Sequence, residues 1–219
     1  MRKALLAVFA TLGLFASTLL AGPASAEGFM SLPVPPPSDR IVIDLVTVNG
    51  SGCPAGTAAI AVSPDNTAFT VTYSNYMALI GVGSTTTDWR KNCQLSLLVH
   101  VPAGFTYAIA SADYRGFASL ERGSTGMEKA GYYFQGSPLT NYSTHTFAGA
   151  YADDWHATDT TDVAELVWAP CGVARNFNVN SELRVLAGTS DTKSATSFMT
   201  MDSIDGAFST IYHFAWQEC

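Results

Sequence analysis

The alternation of apolar and polar residues with a period of two is the feature that most constrains this chain of 219 residues. A period of two places alternate side chains on opposite faces of a β-strand. The clearest example sets Phe177, Val179, Ser181, Leu183 and Val185 against Asn178, Asn180, Glu182 and Arg184. No window longer than about ten residues keeps the 3.6-residue period of a helix. We therefore predict an all-β protein.

Some ten short strands at regular spacing predict a two-layer antiparallel β-sandwich that spans residues 41–219 as a single domain, with a jelly roll as the alternative. Thr57–Val62 and Thr67–Tyr73 flank Ser-Pro-Asp-Asn, which predicts a hairpin. The strand that ends at Val101 is expected to pair with the strand that begins at Phe105. Phe198–Met201 and Ile211–Trp216 are the last two predicted strands, with a turn at Asp205 and Gly206.

The segment Asp113–Gly136 predicts a further hairpin, with its turn at Gly123–Gly126. Alternation puts Asp113 and Arg115 on one face, where we expect them to form an ion pair that lowers the pKa of the acid. Tyr114 and Tyr132 are the aromatic residues of this hairpin that we nominate for a recognition surface.

The N-terminus has the pattern of a secretory signal peptide. Arg2 and Lys3 precede the apolar run Ala4–Leu20, and Ala24-Ser25-Ala26 is a small-residue cleavage site. We predict cleavage after Ala26, which leaves a soluble extracellular protein with no membrane segment. Residues 27–40 contain four closely spaced prolines from Pro33 to Pro37 and predict a semi-rigid, extended arm.

The charge balance excludes two classes of partner. The full chain has a net charge of −7, and residues 1–26 carry two cations and no acid, so the mature protein has a net charge of −9. Such a protein repels phosphate backbones and anionic lipid surfaces, so neither nucleic acid nor a membrane is expected to bind. Glycans and proteins outside the cell remain as candidate partners, and we expect a monomer.

Four cysteines in an oxidising compartment predict two disulfides. Three pairings are possible, and we favour Cys53 with Cys93 and Cys171 with Cys219, because each pair then brackets its own run of strands. No CxxC pair or histidine cluster accompanies them, so a metal site is disfavoured.

The acidic segment Tyr151–Glu165 is predicted to be a loop and is the first candidate for a ligand site. Its carboxylates are of the type that calcium prefers, and its rings are of the type that stack on sugars. The alternative is a solvated loop whose Asp and Thr residues form turns. The residues nominated here are Asp153, Asp154, Trp155 and Asp159.

No catalytic residue is nominated. The four histidines are scattered singly, no GxSxG motif occurs, and the cysteines are assigned to disulfides. Two carboxylates would suffice for a hydrolase of extracellular polymers, which is the alternative to a non-enzymatic binding or matrix protein. Asn49 and Asn141 fit the N-glycosylation pattern.

Several phrases of the sequence resemble a known family, and they are spread over nearly the whole of Val48–Cys219. They are NGSGCPAGTAAIAVSPDNTAFTVTYS, DWRKNCQLSLLVHVPAGFTYAIASADYRGFASL, YYFQGS, VWAPCG, LRVLAGTS and SFMTMDS. These phrases resemble the secreted family catalogued as domain of unknown function forty-three sixty. The resemblance implies a secreted β protein with two disulfides and assigns no catalytic residue.

Overall fold

The alternating segments form the strands of a two-layer β-sandwich, as predicted. The computed structural model describes residues 33–137, 141–162, 165–201 and 209–219, so the predicted signal peptide and the turn at Asp205 and Gly206 lie outside the described residues. The described residues form twelve strands and no α-helix. The strands are β1 (Val42–Asn49), β2 (Ala58–Val62), β3 (Ala68–Tyr73), β4 (Met77–Gly81), β5 (Arg90–His100), β6 (Phe105–Leu120), β7 (Thr125–Phe134), β8 (Asn141–Ala148), β9 (Tyr151–Thr160), β10 (Asn176–Leu186), β11 (Thr196–Thr200) and β12 (Thr210–Glu218).

The strands divide into two antiparallel sheets. The five-stranded sheet has the order β1-β5-β10-β7-β8, and the seven-stranded sheet has the order β2-β3-β12-β6-β11-β4, with β9 paired to β6. The predicted β2–β3 hairpin is present. Strands β8 and β9 lie at edges of different sheets and are joined by the two residues Gly149 and Ala150. In the part of the chain that the structure describes, no helix is long and apolar enough to cross a membrane.

Aromatic side chains fill the space between the sheets. Phe177 of β10 is fully buried, and its ring contacts the rings of Phe69, Tyr107, Tyr132, Phe134 and Tyr212. Each of these residues comes from the inward-facing set of its strand. The core therefore follows directly from the period of two in the sequence.

Both predicted disulfides are confirmed. Cys53 pairs with Cys93 at a Cα–Cα distance of 5.3 Å, and Cys171 pairs with Cys219 at 5.8 Å. They close loops with sequence separations of 40 and 48 residues. The chain-entropy relation gives each loop a stabilisation of about 4 kcal/mol.

Two predicted strand pairings are wrong. Strands β6 and β7 do not form a hairpin, because β6 belongs to the seven-stranded sheet and β7 to the five-stranded sheet. The turn at Glu121–Ser124, in which the Ser124 amide donates to the Glu121 carbonyl, carries the chain from one sheet to the other. Strands β5 and β6 are separated in the same way. Alternation identifies a strand and its buried face. Two strands that pair within one sheet and two strands that face each other across the sandwich show the same alternation, so it does not identify the partner.

Strands β11 and β12 are present where the sequence predicted them, but both pair with β6 and not with each other. The Pro-rich arm also has fixed contacts over its described part. Asn66, which is buried with φ 57°, donates from its side chain to the carbonyls of Pro37 and Asp39. Val34 forms a β-bridge with Trp216, so residues 33–40 lie against the sandwich.

Candidate functional site

The predicted acidic loop is a strand, which changes what its residues can do. Residues 151–160 form β9 and pair with β6 along their whole length. The prediction failed because Asp and Thr are common in loops, whereas here Asp154 and Thr158 are outward residues of an edge strand whose inward positions include Trp155. Asp153 and Asp154 are exposed on this strand.

Two nominated aromatic residues lie in the core. Trp155 is 1% exposed and donates its indole N–H to the Thr200 carbonyl at 3.0 Å, and Tyr114 is 0% exposed. Neither ring offers a face to a sugar. Among the described residues, no group of three or more His, Cys, Asp or Glu side chains is arranged to hold a metal ion, so no calcium site is seen there.

The nominated Asp159 and Tyr132 come together in a cleft between the edges of the two sheets. The cleft has a volume of about 640 Å³. We call it the edge cleft, and its lining residues are Ala130, Tyr132, Tyr142, Ser143, Thr158, Asp159, Thr160, Thr161 and Glu165. Hydroxyl and carboxyl groups dominate this lining, and the two tyrosine rings supply its apolar surface.

Asp159 links the two sheets at this edge through hydrogen bonds. Its Oδ1 accepts a hydrogen bond from His145 Nε2 at 2.8 Å, and its Oδ2 accepts one from the Ser143 hydroxyl. Both donors lie on β8, whereas Asp159 lies on β9. The carboxylate occupies the middle of this trio, so the serine hydroxyl bonds to an acid and not to an imidazole.

A second carboxyl group lies deeper between the sheets. Glu128 is 0% exposed and stands directly opposite His145 in the β7–β8 ladder. Neither of its oxygens has a hydrogen-bond partner in the described part of the chain. Burial, together with the nearby charge of Asp159, raises the pKa of Glu128 well above its usual range. The interior therefore favours the protonated acid.

The outer face of the five-stranded sheet is rich in side-chain amides. Successive outward positions of β10 carry Asn176, Asn178 and Asn180, and the neighbouring outward positions of β5 carry Asn92, Gln94 and Ser96. We call these six residues the amide face. Asn176 donates to Ser96 at 3.0 Å, whereas the side chains of Asn180 and Gln94 have no hydrogen-bond partner within the described ranges. Their donors and acceptors are available to a ligand.

One rung of this sheet combines free amides with an aromatic ring. Across β5, β10, β7 and β8 the rung consists of Gln94, Asn180, Gly131 and Tyr142. Gly131 has no side chain, so the surface is low between Asn180 and Tyr142. A depression of about 250 Å³ lies here, lined in part by Gln94, Lys129, Tyr142 and Asn180. We call it the rung depression.

Tyr142 connects the two concavities. Its side chain is 54% exposed, and it lines both the rung depression and the edge cleft. The Lys129 ammonium lies 4.7 Å from the centroid of its ring. A ligand that leaves the amide face over β8 therefore passes Tyr142 before it reaches the edge cleft.

An acid beside the rung depression is paired with two cations. Glu182 accepts hydrogen bonds from Arg90 and Arg184. Burial raises the pKa of Glu182, but the hydrogen bonds from the two guanidinium groups outweigh that effect and hold the pKa below its usual range. Glu182 balances only one of the two guanidinium groups, and the Lys129 ammonium also lines the rung depression, so the charged side chains around the free amides sum to a positive charge.

The predicted pairing of Asp113 with Arg115 is wrong, although the acid is paired. Asp113 accepts from Thr158 at 2.6 Å and from His213 at 2.9 Å, and His156 lies 3.4 Å away. Burial raises the pKa of Asp113, and these hydrogen bonds outweigh it, so the pKa is lowered. The partners come from β9 and β12, which flank β6, and strand neighbours cannot be identified from alternation alone.

The candidate-site residues that the sequence did not nominate are Glu128, Gln94, Asn180 and Tyr142. Alternation in β10 already placed Asn180 on the face opposite Phe177, so the sequence did indicate that Asn180 points outward. Its neighbours Gln94 and Tyr142 lie 86 and 38 positions away in the sequence, and only sheet register brings them beside it.

The fold and the two disulfides define a secreted, extracellular, disulfide-bonded β-sandwich. The family described as a domain of unknown function (DUF4360) matches residues 39–219, and the chain belongs to this family. A relative from Arthroderma benhamiae, described as an uncharacterized secreted protein, is 38% identical over 184 residues, which are 84% of this chain and 74% of the relative.

One solved structure, the enzymatically active domain of tailspike protein 4 from bacteriophage CBA120, matches with a TM-score of 0.27 and 8% identity. The match covers 78% of this chain and 19% of that chain, so this protein spans about a fifth of the tailspike domain's length. A similarity this low carries no argument about function.

Proposed function

We propose that this protein is a non-enzymatic extracellular binding module whose amide face binds a glycan. The observation that carries the proposal is the rung of Gln94, Asn180, Gly131 and Tyr142. An amide offers a donor and an acceptor side by side, which matches adjacent hydroxyl groups of a sugar. A tyrosine ring beside the low position at Gly131 gives the apolar face of the sugar a surface on which to pack.

The spacing of the amides supports this proposal. Directly opposed side chains on neighbouring strands lie about 5 Å apart, and successive outward residues on one strand lie about 7 Å apart. Gln94 and Asn180 are opposed in this way, and Asn178 is the next outward residue along β10. Several hydroxyl groups of an extended sugar chain can therefore meet amides at once.

A carboxylate-dependent hydrolase is the alternative, and two observations favour binding over it. Glycoside hydrolysis requires an acid that reaches the leaving oxygen, and Glu128 has no exposed surface. A serine nucleophile is typically activated by an imidazole, whereas the Ser143 hydroxyl bonds to the Asp159 carboxylate, which is a weaker base.

The test is a pull-down of the secreted protein on a panel of insoluble polysaccharides. We expect the double variant Gln94→Ala, Asn180→Ala to bind about thirtyfold more weakly, because two hydrogen bonds of about 1 kcal/mol each are lost. Gln217→Ala is the matched control, since it removes an amide from β12 in the other sheet. We expect it to bind like the unmodified protein.

Three results would contradict the proposal. They are binding to no polysaccharide of the panel, equal loss in the amide-face variant and in Gln217→Ala, and release of soluble sugar from the bound polymer. The third would favour the hydrolase.

A further inference from the structure

The charged side chains beside the free amides are mostly basic. The rung next to that of Asn180 places Lys129 opposite Glu182. The rung after it places Arg90 opposite Arg184. Three cations and one acid leave a formal charge of +2 here, in a chain whose net charge is −7. This part of the amide face therefore has the opposite sign to the protein as a whole.

The two arginines keep donors that Glu182 does not use. Arg90 bonds to Glu182 through Nε and Nη2, and Arg184 bonds to it through Nε. The side chains of Arg90 and Arg184 are 46% and 36% exposed, whereas that of Glu182 is 11% exposed. A guanidinium group has five N–H donors, so both groups keep donors that face solvent.

Lys129 is the basic residue next to the low position of the rung. It lies two residues from Gly131 on β7, which is about 7 Å, and it lines the rung depression. Its ammonium lies 4.7 Å from the centroid of the Tyr142 ring and has no ion pair or hydrogen bond within the described ranges. The three N–H donors of Lys129 are therefore available to a ligand in the depression.

A carboxylate matches this excess of donors. It carries one negative charge and two oxygens that only accept hydrogen bonds, and its bonds to Lys or Arg are charge-assisted. Sugar hydroxyl groups both donate and accept, as the amides of Gln94 and Asn180 do. A uronic acid has hydroxyl groups and a carboxylate on one ring, so a single sugar can meet the amides and Lys129 together.

The acids of the surface limit the path of such a ligand without blocking the depression. Asp159 and Glu165 line the edge cleft beyond Tyr142, so an anionic chain is repelled there. Asp44, on β1, stands opposite Leu98, which is about 13 Å along β5 from Gln94. Salt at 150 mM screens charges beyond about 8 Å, so the nearest cations dominate in the depression.

We infer that the glycan bound by the amide face is acidic and that the rung depression binds one of its uronate carboxylates against Lys129. This inference rests on the proposed function, because the amides hold the sugar whose carboxylate is recognised. Gln94 and Asn180 supply affinity for hydroxyl groups, and Lys129 supplies the preference for the charged sugar.

The test compares oligosaccharides that differ only in the charge of the carboxyl group. The probes are hexamers of galacturonic acid and of mannuronic acid, each beside its full methyl ester. Titration calorimetry with the secreted protein at pH 6 and 150 mM salt is expected to show about tenfold tighter binding of at least one acid than of its ester, as one charge-assisted contact gives.

Lys129→Gln removes the ammonium and keeps a polar side chain. We expect it to bind that acid about tenfold more weakly, so that the preference over the ester disappears. An unchanged thermal unfolding midpoint shows that the variant is folded.

The matched control is Lys193→Gln. Lys193 is exposed in the loop between β10 and β11, outside the five-stranded sheet, and its replacement makes the same change in net charge. We expect this variant to keep the preference. The preference of the unmodified protein is also expected to fall between 50 mM and 500 mM salt, because screening weakens a charge pair.

Several results overturn the inference. Equal affinity for acid and ester does so, and binding to the polysaccharide panel then leaves the proposed function intact. An equal loss of preference in both variants assigns the effect to the net charge of the protein. Binding of neither acid, beside Asn180-dependent binding of a neutral polysaccharide, shows that the amide face takes an uncharged glycan. Binding to no polysaccharide at all overturns the proposed function as well.

Discussion

Asp113 and Glu128 are two acids on consecutive strands, and the structure places them in opposite environments. Asp113 lies on the outer face of β6, where Thr158, His156 and His213 surround its oxygens. Glu128 lies on the inner face of β7 with no partner among the described residues. The pKa of the first is lowered and that of the second is raised.

The difference shows that the face of the strand, and not the type of residue, decides how an acid behaves here. An outward acid on a central strand has neighbours on both sides that can donate to it. An inward acid loses its hydration, and nearby phenols do not replace the water.

The largest effect is expected for Glu128→Gln. A folded-state pKa above the usual value means that the folded protein keeps a proton that the unfolded chain releases. The stabilisation from this proton is complete below about pH 4.5, the usual pKa, and is lost as the pH rises through the raised pKa. Gln does not titrate. The free energy of unfolding of the variant is therefore expected to rise relative to that of the unmodified protein by about 1.4 kcal/mol per pH unit over this window.

Urea denaturation at pH 5 and pH 7 measures this effect, and the two free energies of unfolding should diverge between these pH values by at most about 3 kcal/mol. Parallel pH profiles for the two proteins would show that Glu128 ionises inside the sandwich at little cost. Glu128→Ala separates charge from packing, because it removes the titration and also leaves a cavity.

A smaller effect of the opposite sign is expected for Asp113→Asn. The change removes a charged acceptor of hydrogen bonds from Thr158 and His213, so we expect a loss of about 1 kcal/mol at pH 6, since the site is partly solvated. A lowered folded-state pKa gives stability that is present above about pH 3.8 and lost as the pH falls through the lowered pKa. The gap between the two proteins should therefore narrow towards pH 3.

Arg115→Ala is the control for this variant. Arg115 was the partner expected from the sequence, but the structure leaves it exposed and gives Asp113 other donors. We expect a change within about 0.5 kcal/mol, as for most surface substitutions. A loss of stability equal to that of Asp113→Asn would support the ion pair that the sequence predicted and contradict the pairing described above.

An effect no larger than that of Asp113→Asn is expected for the phenols around Glu128. Tyr76 shares a hydrogen bond of 3.1 Å with Ser181, whereas the Tyr114 hydroxyl is buried without a partner in the described part of the chain. Tyr76→Phe should cost about 1 kcal/mol, and Tyr114→Phe should be neutral or slightly stabilising. Thermal unfolding of the two variants measures this difference, and equal losses would show that Tyr114 does have a partner.

The candidate site was predicted in part. Asp159 and Tyr132 were nominated and do meet in the edge cleft, while Trp155 and Tyr114 were nominated for exposed surfaces and lie in the core. Aromatic residues serve a core and a binding face equally well, so composition does not separate the two uses. Asn180 was placed on the correct face by alternation, but its chemistry as a site depends on Gln94 and Tyr142.

The sequence by itself determined most of the strands, though not β9, together with their buried faces and the favoured pairing of cysteines, because these follow from local alternation and from which segments the cysteines bracket. The tertiary structure decided which strand lies beside which. The side-chain period is two for every strand, so no local pattern distinguishes a neighbour in the same sheet from one across the core. For that reason β6 and β7 were predicted to pair, and for the same reason the partners of Asp113, Glu128 and Asn180 emerged only with the sheet order.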